Sequence, residues 1–291
     1  MRLYRTLGIL AALLWAALPL VSQQRHTFRY DGRDRTYWLY VPERPPQGMP
    51  LVLVLHGYGG RAEGYRPEMM DLAREEGFAV CYPQGRENSV GKTGWNVGYP
   101  SQQDLPDDDC ALVTALARHL QDEWGFSRRN TFLTGMSNGG EMCYLLAYSA
   151  DTTFSALASV AGLTMKWLYD SARPPRPIPF LEIHGTADKT SLWEGDPQGL
   201  HGWGGYTSVP SAVAAMVTAD GCAAYERTEL PLFSPDAHPV ILHRYSGGLP
   251  ARGGGPPCEV LLYEVSGGKH SWALHDLDTC REIWNFFKRY L

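Results

Sequence analysis

The sequence predicts an α/β protein in which helices cover both faces of a mostly parallel β-sheet. Strand-like and helix-like segments alternate along the chain, as expected when parallel strands are joined by helical crossovers. Residues 51–55 (LVLVL) form the continuous apolar run that a strand buried on both faces requires. No linker divides the 291 residues, and 44% of them are hydrophobic. The sequence therefore predicts a single domain with one large core.

The first elements are a hairpin and two strands separated by a helix. Two short alternating segments, His26–Tyr30 and Thr36–Val41, flank an Asp-Gly turn and predict a β-hairpin. The buried strand Leu51–Leu55 comes next. The segment Met69–Glu76 predicts a helix that ends at a glycine. The segment Phe78–Tyr82 predicts a further strand, which a proline stops.

The rest of the chain continues the alternation. Three consecutive aspartates, Asp107–Asp109, favour the start of a helix that runs to about Trp124, because negative charge stabilises a helix N-terminus. Two long segments, Gly85–Pro106 and Leu192–Val209, fit no regular element and are expected to lie near a ligand site. The other predicted strands are Thr131–Thr134, Ser155–Val160, Ile178–Ile183 and Glu259–Val265, and the other predicted helices are Gly139–Ser149, Ser211–Thr218 and Asp278–Tyr290.

The first 22 residues have the pattern of a secretory signal peptide. Two arginines precede the apolar run Leu7–Val21, and small or polar residues follow it. About 15 apolar residues is short of the roughly 20 that cross a membrane. We therefore expect cleavage near Ser22, a mature catalytic domain of residues 23–291, and a secreted or periplasmic protein that leaves the membrane after cleavage.

Charge and cysteine content narrow the class further. The formal net charge of −5 leaves no basic surface of the kind that binds nucleic acid. The six cysteines suit an exported protein, and their spacing contains no zinc-binding pattern. Cys222 and Cys258 both flank loops and are the best candidates for a disulfide. The pairing of the other four stays open: Cys81, Cys110, Cys143 and Cys280.

A G-x-S-x-G motif at residues 135–139 (GMSNG) supplies the candidate nucleophile, Ser137. The motif lies between a predicted strand and a predicted helix, which is where the nucleophile elbow of α/β-hydrolases lies. That tight turn needs small residues on both sides of the serine and exposes its hydroxyl at the edge of the sheet. A glycine-rich turn without catalytic function is the simpler alternative.

A nucleophilic serine requires a base and an acid that orients the base, in the order Ser, Asp, His. Asp188 follows the predicted strand Ile178–Ile183, and His270 follows Glu259–Val265. Both side chains are thus expected at the same sheet edge as Ser137. The alternatives are His184 and His275 for the base, and Asp196 and Asp220 for the acid.

The segment 56–60 (HGYGG) directly follows the buried strand Leu51–Leu55. In α/β-hydrolases a backbone N–H from this loop helps to bind the oxyanion, together with the N–H of the residue after the nucleophile. We therefore assign the oxyanion hole to the backbone N–H groups of Tyr58 and Asn138. An ordinary glycine turn is the alternative.

These motifs together resemble one group of esterases. HGYGG, YPQG (82–85), an acidic DDD (107–109), GMSNGG, HGTAD (184–188) and GGKHSW are similar to the feruloyl esterase, acetyl xylan esterase and polyhydroxybutyrate depolymerase family. The resemblance implies an α/β-hydrolase fold, ester hydrolysis through an acyl-enzyme, and no metal or organic cofactor. It implies the triad Ser137, Asp188 and His270, and a disulfide between Cys222 and Cys258.

The expected partner is an acylated polysaccharide, oligosaccharide or polyester. The long segment 193–210 resembles the carbohydrate-directed esterases more than the polyester depolymerases, and this resemblance implies feruloyl or acetyl esters on plant polysaccharide over a polyester depolymerase or general carboxylesterase. A non-catalytic carbohydrate-binding protein and a serine peptidase are the more remote alternatives. Four tryptophans could form an aromatic wall for the substrate, or could be ordinary packing residues: Trp95, Trp193, Trp203 and Trp272.

Overall fold

Strands and helices alternate along most of the computed structural model, which describes residues 23–43, 45–103, 105 and 108–291. The predicted signal peptide and Asp107 lie outside the described residues. The strands are β1 (Gln24–Tyr30), β2 (Arg33–Tyr40), β3 (Leu51–Leu55), β4 (Ala79–Pro83), β5 (Arg86–Glu87), β6 (Thr93–Gly94), β7 (Thr131–Met136), β8 (Ala156–Val160), β9 (Phe180–Gly185), β10 (Ala224–Glu229), β11 (Val240–Ser246) and β12 (Val260–Val265). The helices are α1 (Pro67–Glu76), α2 (Asp109–Trp124), α3 (Asn138–Ala147), α4 (Lys166–Ser171), α5 (Val209–Asp220) and α6 (Thr279–Phe287).

Ten of these strands form one twisted sheet in the order β1-β2-β4-β3-β7-β8-β9-β12-β11-β10. The six central strands, β4 to β12 in this order, run parallel to one another. Antiparallel strands extend the sheet at both edges. This confirms the predicted mostly parallel sheet. The carboxyl ends of its parallel strands all meet at one edge, where ligands bind in such sheets.

The core has two layers because successive side chains of a strand point to opposite faces. On β3, Leu51, Leu53 and Leu55 pack with α2, α3 and α5, whereas Val52 and Val54 pack with α1 and α6. Both faces of the central strands are therefore covered, which explains why β3, β4, β8 and β9 are buried along their entire length.

The helix ends follow the local sequence. The Asp108 side chain accepts a hydrogen bond from the N–H of Ala111 and so caps α2. Ser208 caps α5 in the same way through the N–H of Ser211. Helix α1 ends at Gly77, whose φ of 81° is the left-handed conformation that glycine adopts without strain.

The sequence pattern did not predict α4, the edge strands β10 and β11, or the short β5–β6 hairpin. All six residues of β10 are exposed, so the strand has no core-facing side chains to give an apolar pattern. Only Val240 of β11 is buried. These strands are held by backbone pairing, of β10 to β11 and of β11 to β12, and not by burial of their side chains. None of the helices in the described part of the chain is both long and apolar enough to cross a membrane.

Candidate catalytic site

Ser137 lies in a strained turn between β7 and α3. Its backbone has φ 56° and ψ −122°, a conformation that non-glycine residues rarely adopt and that is typical of functional sites. Two hydrogen bonds hold it. The N–H of Ser137 donates to the carbonyl oxygen of Val160 at 2.8 Å, and its carbonyl oxygen accepts from the N–H of Glu141 at 2.8 Å. The turn is thus fixed on both sides of the serine.

The glycines that flank Ser137 let the chain pass very close to itself. A Cβ atom on Gly139 would lie 2.5 Å from the carbonyl oxygen of Leu55, and one on Gly135 would lie 2.5 Å from that of Gly139. Both contacts are with the backbone, which cannot move aside. Any larger residue at either position would push α3 away from β3.

Asp188 and His270 come together in the loops after β9 and β12. The Nδ1–H of His270 donates to Oδ2 of Asp188 at 2.6 Å. The other carboxylate oxygen, Oδ1, accepts from the backbone N–H groups of Thr190 and Ser191 at 2.7 and 2.8 Å. The Asp188 side chain is completely buried, whereas 21% of the His270 side chain is exposed. The arrangement leaves Nε2 of His270 available to exchange a proton.

The loop that carries His270 reaches the loop after β3, which borders Ser137. The indole N–H of Trp272 donates to the hydroxyl of Tyr65 at 2.9 Å. In the same loop after β3, a Cβ atom on Gly57 would lie 3.3 Å from Cβ of Ser137. The nucleophile, base and acid candidates therefore all lie on loops at the carboxyl edge of the parallel strands.

The alternative acids and bases have other partners. Asp220 accepts from the N–H of Ile178 at the opposite end of β9. Asp196 accepts from the ring of His201. His275 contacts the carbonyl oxygen of Asp236. His184 is buried, and both of its ring nitrogens are hydrogen-bonded.

The loop assigned to the oxyanion hole is held from behind by His56. Because the carbonyl oxygen of Gly57 can only accept, Nδ1 of His56 carries the proton and donates to it at 2.8 Å. Nε2 then accepts from the N–H of Gly85 at 2.9 Å. Burial lowers the pKa of His56, consistent with this neutral form. Sequence reasoning gave His56 no function, although its position directly after β3 could have indicated one.

Asn138, the first residue of α3, joins that helix to the segment after β6. Its side chain accepts from the N–H of Trp95 at 2.7 Å and donates to the carbonyl oxygen of Trp95 at 3.0 Å. No described group accepts a hydrogen bond from the backbone N–H of Asn138 or from that of Tyr58. Their assignment to the oxyanion hole stays a prediction.

The structure corrects part of the predicted aromatic wall. Trp95 is 0% exposed, and its indole N–H donates to the carbonyl oxygen of His56 at 2.9 Å. Trp272 is only 5% exposed. These two rings are packing residues, and placing them on a substrate surface was wrong. Each indole N–H has a hydrogen-bond partner, so neither ring is buried with an unsatisfied donor.

Trp193 and Trp203 are half-buried, and their assignment to substrate binding stays a prediction. The Trp203 ring centroid lies 5.7 Å from that of Tyr58 and 5.1 Å from that of Tyr99. Trp203, in the segment between β9 and α5, therefore packs against the loop that borders Ser137. The ring of Trp193 lies 6.1 Å from that of His184.

Glu141 is an acid under this aromatic group that sequence reasoning missed. It is 1% exposed, and the hydroxyl of Tyr99 donates to its Oε1 at 2.5 Å. Its Oε2 has no hydrogen-bond partner among the described residues. Burial raises the pKa of Glu141 to about 8, although the Tyr99 hydrogen bond opposes the shift. Glu141 is therefore mainly protonated at neutral pH.

Cys222 and Cys258 lie close together without a bond between them. All six cysteines are free thiols in the structure, and Sγ of Cys222 is 3.7 Å from the carbonyl oxygen of Cys258. The disulfide stays a prediction. Among the described residues, no group of three or more His, Cys, Asp or Glu side chains is arranged to hold a metal ion.

The arrangement of strands and site is that of an α/β-hydrolase, and solved structures share the fold. An acetyl xylan esterase from Aspergillus awamori matches 92% of this chain and 99% of its own chain, with a TM-score of 0.60 and 16% identity. A carboxylesterase from Bacillus cereus matches 88% of this chain and 95% of its own, with a TM-score of 0.55 and 11% identity. The predicted fold class is confirmed.

Sequence comparison identifies the relatives within that fold. Residues 35–172 match the family model described as esterase PHB depolymerase. A putative esterase, NocK, from Nocardia uniformis is 35% identical over 56% of this chain and 48% of its own length. A probable feruloyl esterase C from Aspergillus oryzae is 28% identical over 56% of this chain and 58% of its own.

A bifunctional acetylxylan esterase/xylanase from Neocallimastix patriciarum is 25% identical over 55% of this chain and 22% of its own length. The matches thus cover between about a fifth and three fifths of these relatives. The chain is related to the feruloyl esterases, the acetylxylan esterases and the PHB depolymerase esterases, which confirms the resemblance seen in its motifs.

Replacing Gly139 by Ala should lower the free energy of unfolding by about 2 kcal/mol or more, because the new methyl group collides with the backbone of Leu55. Helix propensity alone predicts the opposite sign, a gain of about 1 kcal/mol. Urea unfolding measures the change. In the control Gly255→Ala, the added Cβ meets its nearest atom at 3.5 Å, and the change should be within about 0.5 kcal/mol. Equal stability of both variants would contradict the tight contact.

Glu141 should make the protein less stable as pH rises. Its folded pKa of about 8 lies above the ordinary value of 4.5, so between these values the folded chain binds more protons than the unfolded chain. The free energy of unfolding therefore falls through this range as pH increases. Glu141→Gln should remove this component of the slope in urea unfolding measured from about pH 5 to about pH 9. The exposed Glu123→Gln is the control, and identical slopes for wild type and Glu141→Gln would refute the assignment.

Proposed function

We propose that this protein hydrolyses carboxylic esters through an acyl-enzyme on Ser137, with His270 as general base and Asp188 as the acid that orients it. The observation that carries the proposal is the combination of a strained serine turn with a 2.6 Å hydrogen bond between His270 and a buried Asp188. A structural serine would gain nothing from the positive φ, which costs on the order of 1–3 kcal/mol.

In the first half-reaction, Nε2 of His270 takes the hydroxyl proton while Oγ of Ser137 bonds to the ester carbonyl carbon. The tetrahedral intermediate then collapses, its bond to the alcohol oxygen breaks, and His270 returns the proton to the departing alcohol. In the second half-reaction, water loses a proton to His270 and attacks the acyl-enzyme. The acid is released, and Ser137 regains its proton.

The backbone N–H groups of Tyr58 and Asn138 would bind the negative oxygen of both intermediates. Neither N–H donates to another described group. Asn138 is the first residue of α3, so the positive end of the helix dipole adds to its effect. Losing one such donor typically costs about 3 kcal/mol of transition-state stabilisation.

The substrates that we propose are feruloyl or acetyl esters on plant polysaccharide. Relatives named as feruloyl and acetylxylan esterases support this choice. Trp203, beside Tyr58 and Tyr99, offers an aromatic surface for a phenolic ring or a sugar face. The family-model match favours a second candidate, a polyester depolymerase of the PHB type.

Ser137→Ala should lower kcat/KM by about 10⁴-fold or more on every ester that the wild-type protein cleaves, because it removes the nucleophile. A suitable panel contains 4-nitrophenyl acetate, methyl ferulate, acetylated xylan and a short hydroxybutyrate oligomer. Release of ferulate or acetate from the second or third substrate would support the polysaccharide assignment. Preferred cleavage of the hydroxybutyrate oligomer would replace it with the polyester assignment.

Ser234→Ala is the matched control, since Ser234 lies in the loop between β10 and β11, and it should retain full activity. If wild type and Ser137→Ala cleave all four esters equally, Ser137 is not the nucleophile. If wild type is inert but binds acetylated xylan, the protein is a carbohydrate-binding protein on a hydrolase fold.

We further propose that the protein is exported, that residues 1–22 are removed, and that Cys222 and Cys258 then form a disulfide. Their loops already lie within reach of each other, since Sγ of Cys222 is 3.7 Å from the Cys258 carbonyl oxygen. The intact mass of protein recovered from the periplasm or culture medium should equal that of residues 23–291 minus the two hydrogens that one disulfide removes. Full-length, fully reduced protein in the cytoplasm would overturn both assignments.

A further inference from the structure

A second carboxylate–imidazole pair lies behind Asp188. In β9, Glu182 and His184 point to the same face of the sheet, and the side chains of Glu182, His184 and Asp188 are all 0% exposed. Nδ1 of His184 lies 3.0 Å from Oε1 of Glu182. Burying ionisable groups completely costs stability unless they are paired, so this pair requires an explanation.

The partners of His184 determine where its protons lie. Nε2 is 2.8 Å from the carbonyl oxygen of Ser191, which can only accept, so Nε2 carries a proton. The contact between Nδ1 and the Glu182 carboxyl group then holds one further proton. The second oxygen of Glu182 accepts from the hydroxyl of Tyr144 at 3.1 Å. Both oxygens of Glu182 and both ring nitrogens of His184 therefore have hydrogen-bond partners, and the Nε2 edge of the ring carries a proton.

That edge of His184 faces the same oxygen that His270 uses. Nε2 of His184 lies 3.6 Å from Oδ2 of Asp188, and Nδ1 of His270 lies 2.6 Å from it. Ser191 provides a second link between His184 and Asp188. Its carbonyl oxygen accepts from His184, and its N–H donates to Oδ1 of Asp188. The turn that His184 fastens to β9 thus holds Asp188 through Oδ1, while Oδ2 faces the rings of both His184 and His270.

We propose that Glu182 and His184 are positioning residues that fix Asp188 in the orientation at which it aligns His270, and that their shared proton places positive potential beside Asp188. The proposal rests on the function proposed above. It predicts that the pair affects the chemical step and its pH dependence more than substrate binding, because neither residue has an exposed side chain.

Other charged or titratable groups face the pair from the neighbouring elements and must be considered in any pH experiment. Burial lowers the pKa of His184, but the hydrogen bond and charge of Glu182, the Ser191 carbonyl oxygen and the charge of Asp188 together raise it overall. The groups around the pair are Cys143 and Tyr144 of α3, Glu264 of β12, which is in register with His184, and Asp188 itself.

The test compares Glu182→Gln and His184→Gln with wild type on 4-nitrophenyl acetate across pH. Both variants should lose about 10- to 100-fold in kcat with KM changed less than about twofold, because they alter alignment and not binding. The acidic limb of the kcat/KM profile should move up by about half a pH unit, because the positive potential that opposes charge on the His270 ring is gone.

Asp220→Asn is the matched control. Asp220 is also a 0% exposed carboxylate, and burial raises its pKa to about 7, but it lies by Ile178 at the opposite end of β9 from Asp188. This variant should keep wild-type kcat and the wild-type acidic limb, whatever its melting temperature. The melting temperatures of all three variants show whether a lower kcat comes from unfolded protein or from misalignment of His270 in folded protein.

Three outcomes are informative. If folded Glu182→Gln and His184→Gln both match wild type in kcat and pH profile, the pair does not position Asp188 and the inference fails. If Asp220→Asn shows the same losses, the effect is a general consequence of perturbing β9, and the inference also fails. If wild type itself cleaves the ester no faster than Ser137→Ala, the proposed function fails first.

Discussion

The close contact between α3 and the end of β3 is the constraint on which the site depends. The backbone of Gly139 passes so near Leu55 that a methyl group has no space. At this distance the chain can enter α3 only through a sharp turn, and Ser137 takes the positive φ that the turn requires. The same contact places Gly57 against Ser137. The contact between α3 and β3 therefore fixes both Ser137 and the loop proposed to bind the oxyanion.

Buried polar side chains keep this edge of the sheet rigid. His56 accepts from the loop after β4, and the Trp95 indole after β6 donates to the carbonyl oxygen of His56, so the loops after β3, β4 and β6 hold one another in place. Asn138 fastens the segment after β6 to α3. A site made of loops is usually mobile. Here the loops are bound to each other through side chains that are 0% exposed, which suits the fixed donors that oxyanion binding requires.

The sequence predicted the central strands because burial on both faces leaves a strong apolar signal, and it predicted the positions of Ser137, Asp188 and His270 because motif and strand end coincide. The sequence did not predict elements that lack an apolar pattern or a motif. Strand β10 is exposed along its length and is organised by pairing alone. The sequence left Trp95 open between a substrate-binding wall and packing, and its buried indole N–H, which donates to the carbonyl oxygen of His56, favours packing. Hydrogen bonds between residues far apart in the sequence leave no pattern in the neighbouring residues, so the sequence could not predict them.

The pairing of Glu182 with His184 shows how alternation in a strand can carry information besides burial. Residues two apart on a strand share a face, so a glutamate and a histidine at this spacing are expected to meet wherever β9 lies in the sheet. What the sequence cannot give is the depth of the pair. Because both side chains are fully buried, Nε2 of His184 meets the Ser191 carbonyl oxygen and Asp188 instead of solvent. Burial thus turns an ordinary strand pair into a support for the carboxylate that orients His270.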